Sequence, residues 1–166
     1  MVLIAVLIRA TSRGPALHWS DRIGRGNVTF KMPKFRTMIC GTPAVATHLL
    51  DRPECYVTPL GRFLRRVSLD ELPQLFSVIL GQMSIVGPRP ALFNQHDLIE
   101  LRTGKGIHWL LPGITGWAQV NGRDDLPIPV KVAYEEQYLR EQSFRMDLRI
   151  LAMTAAQVFQ SRGVSH

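Results

Sequence analysis

Ser68-Leu-Asp-Glu-Leu-Pro-Gln-Leu75 and, further on, Val86-Gly-Pro-Arg-Pro90 place an adjacent pair of carboxylates, Asp70 and Glu71, between two arginine-bearing segments. Before the pair runs Arg62-Phe-Leu-Arg-Arg66, and after it comes Arg89 between two prolines. Phosphate chemistry with a metal needs this combination. One carboxylate attacks or holds the metal, while planar guanidinium forks neutralise phosphate oxygens. The same residues also read as a helix start. Ser68-x-x-Glu71 fits a capping box, whose serine oxygen and glutamate carboxylate satisfy the first free amides. Pro73 argues against a box at Ser68, since it would fall beyond the first turn without a donor, so the start can slide to Asp70 or Leu72. Either placement puts both acids at a positive helix end, which predicts lowered pKa values for both. Cap and reactive pair are compatible.

The flanks set the fold class. Leu60, Phe63, Leu64 and Val67 recur at helical spacing with Arg62, Arg65 and Arg66 between them. This amphipathic helix suits a membrane surface or, equally, a core with a solvated face. A second helix is expected from about Pro73 to Leu80, stopping at Gly81, and a third from Ala91 to about Thr103. Pro88 and Pro90 impose a rigid turn around Arg89. In Pro112-Gly-Ile-Thr-Gly-Trp-Ala-Gln-Val-Asn-Gly-Arg123, the glycines let backbone approach a ligand, with Gln119, Asn121 and Arg123 as polar groups. A turn anchored in the core by Trp117 is the other reading. Asp147–Arg162 reads as a helix with Leu148, Leu151, Ala152, Ala155 and Phe159 on one face, ending at Gly163. Ile150, Met153 and Val158 fall elsewhere on its wheel, so it suits contact with lipid or a second protein layer. Toward the N-terminus, Val28–Phe30 and Lys34–Met38 read as short extended pieces, and Asp21–Asn27 as a turn pivoting on Gly24 and Gly26. Cys40–Pro59 reads mostly as loop, with a short helix near Ala44–Leu50.

A chain of 166 residues fits one domain. Its net charge of +7, carried mainly by arginine, points to anionic partners: nucleic acid, anionic lipid or phosphorylated substrates. Nucleic acid ranks below the others, because Asp70 and Glu71 would repel a phosphate backbone. Cys40 and Cys55 form no CxxC and have no histidine at metal spacing, which argues against zinc and against a disulfide framework. Neither a P-loop nor a dinucleotide glycine fingerprint is present, so a nucleotide is held in another way. The apolar run Met1–Ile8 falls far short of the roughly 20 residues that span a bilayer. It also lacks the pattern of a secretory signal. It reads as a buried strand, the end of a membrane helix or a shallow interfacial anchor, with Arg9 and Arg13 favouring the last two on the cytoplasmic side.

Lys34-Phe-Arg-Thr-Met38, Ser68–Leu75, Val86–Pro90 and Pro112–Arg123 together resemble the bacterial sugar transferases, the small monotopic polyprenyl-phosphate phosphoglycosyl transferases. The resemblance runs in order from about Gly14 to Val164. It implies an irregular α/β domain of amphipathic helices and short strands at the cytoplasmic face of the bacterial inner membrane. Residues 14–166 would form the catalytic domain, and residues 1–13 the remnant of an N-terminal anchor. The implied reaction moves a sugar-1-phosphate from a nucleotide diphosphate sugar, usually a UDP-sugar, to undecaprenyl phosphate through a covalent phosphosugar enzyme. Asp70 matches the nucleophile and Glu71 the neighbouring carboxylate associated with Mg²⁺. Arg65 and Arg89 match phosphate-binding positions, with Gln119 and Arg123 on the nucleotide side. Two departures stand out. Relatives begin with a longer re-entrant membrane helix, so a truncated anchor is expected here, with an inactive relative or a basic membrane-surface module as the alternative. Gln82 also stands where relatives commonly carry an acid. Sugar choice is assigned to the loops Cys40–Pro59 and Asp124–Lys131.

Overall fold

The computed structural model describes residues 1–43, 53–122 and 126–160. Met1–Ile8 does not form a strand: helix α1 spans Val2–Thr11. Ile4, Ala5 and Ile8 pack against Phe35 and Leu64, while Val2, Leu3 and Val6 face outward. Among the described residues no helix is long and apolar enough to cross a membrane. The end of α1 is tied by its own hydroxyls, Thr11 Oγ1 donating to the Leu7 carbonyl at 2.8 Å and Ser12 Oγ to that of Ile8 at 3.0 Å.

Strands β1 (Leu17–Ile23) and β2 (Thr29–Phe35) form an antiparallel hairpin, in register from Leu17 opposite Phe35 to Ile23 opposite Thr29. The expected turn is therefore shorter, since Asp21–Ile23 belong to β1. The chain reverses through Gly26 and Asn27, both at positive φ (65° and 62°). The two expected extended pieces merge into β2, with Met38 in a bridge to Val57. Directly opposed residues share a sheet face, which puts His18, Ser20 and Arg22 beside Lys34, Met32 and Phe30.

Helix α2 (Pro59–Arg66) begins one residue before the expected Leu60, inside the stretch expected as loop. Thr58 Oγ1 accepts from the Gly61 amide at 3.0 Å, and Pro59 sits where a missing donor costs nothing. Leu64 is buried, whereas Phe63 stands exposed beside Arg62 and Arg66. Helix α3 (Gln74–Ile79) follows, ending at Gly81 in the left-handed region. Strand β3 (Ser84–Val86) pairs in parallel with β4 (Gly113–Thr115). Helix α4 (His96–Gly104) lies between them and begins later than Ala91, because that residue is committed to β1, its carbonyl accepting from the Ile23 amide at 2.9 Å.

Helices α5 (Trp117–Val120), α6 (Ile128–Glu141) and α7 (Phe144–Gln160) close the domain. Of the loop expected over Asp124–Lys131, residues 128–131 belong to α6, with Pro127 and Pro129 at its start. Prolines in the first turn of a helix are compatible with it, since those amides have no intrahelical partner. Of the residues grouped on one face of α7, Leu148 and Leu151 lie outward, and the inward side is built on Ile150, which falls elsewhere on the wheel. Ile150 is fully buried with Val86, Val120 and Tyr138, and Gln157 Nε2 donates to the Val120 carbonyl at 2.8 Å. Leu148 and Leu151 remain exposed, together with Phe144. A nearly all-round apolar wheel does not say which side the neighbours occupy. Among polar groups, Arg102 of α4 and Glu135 of α6 form a buried two-point ion pair (2.7 and 2.5 Å).

Candidate active site

Asp70 owes its place to a backbone device. After α2 ends, Ser68 adopts a left-handed conformation (φ 56°, ψ 21°), and Leu69–Glu71 then forms a single 3-10 turn. A non-glycine residue held there stores of the order of 1–3 kcal/mol and recurs near functional groups. The capping box is not made, because a cap requires an extended backbone that Ser68 lacks. Its hydroxyl makes no cap bond, and the Glu71 carboxylate is engaged elsewhere. Lys34 Nζ donates to Glu71 Oε1 at 2.9 Å and Arg89 Nη2 to the same oxygen at 3.0 Å. Three separate motifs thus converge on one atom: the end of β2, the 3-10 turn and the proline-framed Arg89.

The two acids titrate in opposite directions, which corrects the expectation of two lowered values. Burial opposes ionisation of Glu71, but the charges of Lys34 and Arg89 and the hydrogen bonds they donate hold its pKa far below the usual carboxylate range. Asp70 moves up. Burial is the main cause and the neighbouring Glu71 adds to it, while Lys34, Arg65 and Arg89 pull the other way. No described residue donates a hydrogen bond to the Asp70 carboxylate or to Glu71 Oε2. Lys34 has its pKa lowered by burial, with Glu71 opposing. His18, opposite Lys34 in the hairpin, is held below its ordinary value by burial and then by Lys34 and Arg22.

Arg65 reaches the site from the last turn of α2. Its Nε donates to Thr37 Oγ1 at 2.8 Å, and its Nη1 is buried with no partner among the described residues. An unpaired guanidinium nitrogen beside a carboxylate is a ready donor to a phosphate oxygen. Gln119 plays a local part: Nε2 donates to the Ile114 carbonyl at 2.9 Å and Oε1 is buried without a partner. Arg123 lies outside the described residues, as does the short helix expected near Ala44–Leu50. The glycines of the Pro112–Arg123 motif serve contact between chain segments. A Cβ on Gly116 would lie 2.0 Å from the Gly87 carbonyl oxygen, and one on Gly113 would lie 2.1 Å from the Gly87 nitrogen. That crossing fixes the turn carrying Arg89. Trp117 is the core anchor of the alternative reading, its indole donating to Gln137 Oε1 at 2.9 Å beneath the Arg149 guanidinium.

Sequence reasoning missed Lys34 and Arg22. The signal was present in Lys34-Phe-Arg-Thr-Met38, but only the hairpin register shows that Lys34 leaves the sheet on the side of the acids. Arg22 Nη1 donates to the Pro90 carbonyl at 3.1 Å, which ties β1 to the Arg89 turn.

No group of three or more His, Cys, Asp or Glu gathers into a metal cage among the described residues. Mg²⁺ commonly binds one or two carboxylates together with substrate phosphates and water. The open oxygens of Asp70 and Glu71 fit that mode.

The model of the family described as "Bacterial sugar transferase" matches residues 1–161, and the chain belongs to that family. It is 40% identical over 166 residues to the UDP-glucose:undecaprenyl-phosphate glucose-1-phosphate transferase of Xanthomonas campestris pv. campestris, covering 95% of this chain and 34% of that protein. With the exopolysaccharide production protein ExoY of Rhizobium meliloti (strain 1021) it shares 36% identity over 179 residues, covering 98% of this chain and 78% of the relative. The undecaprenyl-phosphate galactose phosphotransferase of Salmonella typhimurium is 35% identical over 167 residues, covering 90% and 34% respectively. The chain thus spans about a third of the length of two of these relatives.

Proposed function

We propose that this chain transfers a sugar-1-phosphate from a UDP-sugar to undecaprenyl phosphate, an early membrane step of surface polysaccharide assembly. One observation carries the reading: Asp70 is buried and accepts no hydrogen bond from a described residue, next to a Glu71 pinned ionised by Lys34 and Arg89. A carboxylate with few donors is poorly stabilised as an anion and so keeps its nucleophilicity. An Asp70 oxygen attacks the β-phosphorus of the donor, the bond from that phosphorus to the bridging oxygen breaks, and UMP leaves. An oxygen of undecaprenyl phosphate then attacks the same phosphorus and releases the Asp70 carboxylate. Arg65, through its unpaired Nη1, and Arg89 hold phosphate oxygens as charge builds on them. Gln119 and Arg123 are assigned to the nucleotide side. Mg²⁺, held by Glu71 with Asp70 and the donor phosphates, would supply charge neutralisation at the diphosphate.

We assign the chain to the cytoplasmic face of the membrane, and a set of exposed apolar groups supports the membrane part of that assignment. Val2, Leu3 and Val6 of α1, Phe63 of α2, and Phe76 and Ile79 of α3 are exposed apolar groups. Arg62 and Arg66 flank Phe63 and suit anionic headgroups. On this reading α1, with residues up to 13, is the anchoring part and the rest the catalytic domain. Relatives whose names specify glucose and galactose match this chain comparably, so the donor sugar is tested rather than assumed. In a reconstitution with undecaprenyl phosphate and Mg²⁺, UDP-glucose or UDP-galactose should yield UMP and a lipid-linked sugar in equal amounts. A single turnover of UMP release without lipid, with every later turnover dependent on lipid, fits the two-step route. Failure of every UDP-sugar to yield UMP in membranes would overturn the reading.

A further inference from the structure

Arg36 is almost fully buried, yet no step of the proposed reaction uses it. Its guanidinium closes the end of α1. Nη2 donates to the Ser12 carbonyl at 2.9 Å and to Ser12 Oγ at 2.7 Å, while Nη1 donates to the Arg13 carbonyl at 2.5 Å and to Cys40 Sγ at 3.0 Å. The last carbonyls of a helix carry partial negative charge and lack intrahelical donors, so a cation that meets them both caps and holds the helix. Gly14 leaves the room: a Cβ there would lie 2.2 Å from Arg36 Nη1. The Arg36 amide meanwhile donates to the Ala16 carbonyl at 2.8 Å. One side chain therefore joins the end of α1, the following turn and the loop after β2.

Its neighbours in the chain have different tasks. Lys34 holds Glu71, and Phe35 packs against Ile8 of α1 and Leu64 of α2. Thr37 Oγ1 accepts from Arg65, and the Thr37 carbonyl accepts from the Thr58 amide at 2.9 Å, where α2 begins. Gly61 sits so close to that carbonyl that a Cβ would lie 2.1 Å from it. In four consecutive residues the chain passes from site, to core, to the end of α1, to the holder of a site arginine. Backbone this tightly bounded on both sides cannot shift at Arg36 without moving Thr37.

We propose that Arg36 is a positioning residue that couples the seat of α1 to the site, fixing Arg65 through Thr37 and Lys34 through β2. The kinetic part of this inference rests on the transferase reading; the structural part does not. Arg36→Lys keeps the charge but cannot reach the Ser12 carbonyl, the Arg13 carbonyl and Cys40 from one planar fork. Hydrogen–deuterium exchange of the full chain in nanodiscs should show faster exchange in residues 8–16 and also in 58–72, with 128–141 as protected as in the parent. Where the parent turns over, kcat should fall roughly 10- to 100-fold with KM for the UDP-sugar little changed, as for misplaced reacting groups. Thr37→Val, which cuts only the Arg65 link, should speed exchange in 58–72 and leave 8–16 alone. The double variant should lose no more kcat than the worse single variant. Exchange confined to 8–16, loosening that extends through 128–141, or additive kcat losses would each overturn the coupling. A parent chain that makes no product would count against the transferase reading, and the exchange pattern would still decide the role of Arg36.

Discussion

At the scale of single residues, the site rests on two acids driven in opposite directions. Asp70 has a raised pKa, so in the folded state it favours the protonated form more than the unfolded chain does. Ionising it costs stability as pH rises past the ordinary aspartate value near 3.9. Asp70→Asn should therefore abolish transfer and, at neutral pH, leave Tm equal to or above that of the parent in thermal unfolding. The same sign predicts that the transfer rate, followed against pH, rises through an ionisation above 3.9, since only the carboxylate attacks. A limb at or below that value would contradict this. Glu71 has a lowered pKa, and its contribution is present above the usual glutamate range and lost as pH falls toward the folded value. Glu71→Gln would leave Lys34 buried without its partner, at a cost of about 3–5 kcal/mol. Adding Lys34→Met to that variant should recover part of the loss in denaturant titrations, because the stranded charge is gone.

Among elements, the clearest constraint is the backbone crossing of the Arg89 turn with β4. Gly116→Ala would put a methyl group 2.0 Å from the Gly87 carbonyl oxygen, a clash between main-chain segments that no rotamer relieves. Expression should yield little folded chain, measured by soluble or detergent-extracted monomer. Helix α7 offers a graded test. Ile150→Ala should destabilise by about 2–5 kcal/mol, whereas Leu148→Gln should stay within about 0.5 kcal/mol. Local chemistry made several elements legible in the sequence. Gly81 closes α3, and the helical spacing of Leu60 and Leu64 marks the buried side of α2, although its opening at Thr58-Pro59 falls in the stretch expected as loop. What could not be read depends on long-range neighbours. Ser68 at positive φ follows from the packing of α2 against the 3-10 turn, and Lys34 becomes a site residue only through strand register. The buried face of α7 is set by Val86, Val120 and Tyr138, which lie far away in sequence.

Across the whole molecule, three apolar clusters serve one arrangement. Ile8, Phe35 and Leu64 hold α1 and α2 against the hairpin, and Ala91, Leu98, Ile107 and Val132 support the side of α4 and α6. Val86, Val120, Tyr138 and Ile150 brace the strands that flank the Arg89 turn. Lys34, the Arg65–Glu71 stretch with Asp70, and Arg89 are thereby drawn from three separate parts of the chain into one charged site. The family motifs pointed to Asp70, Glu71, Arg65 and Arg89 before any geometry was known, while the ion pairs that set their charge states needed the fold. The central claim is that Asp70 carries the sugar phosphate. Its most direct test is intact-protein mass spectrometry of the membrane-reconstituted chain after incubation with UDP-sugars and Mg²⁺, without lipid acceptor. A hexose-phosphate adduct on the parent, absent from Asp70→Asn and discharged by undecaprenyl phosphate, is the predicted result. An adduct that survives in Asp70→Asn, or lipid-linked product formed with no adduct on any time scale, would contradict it.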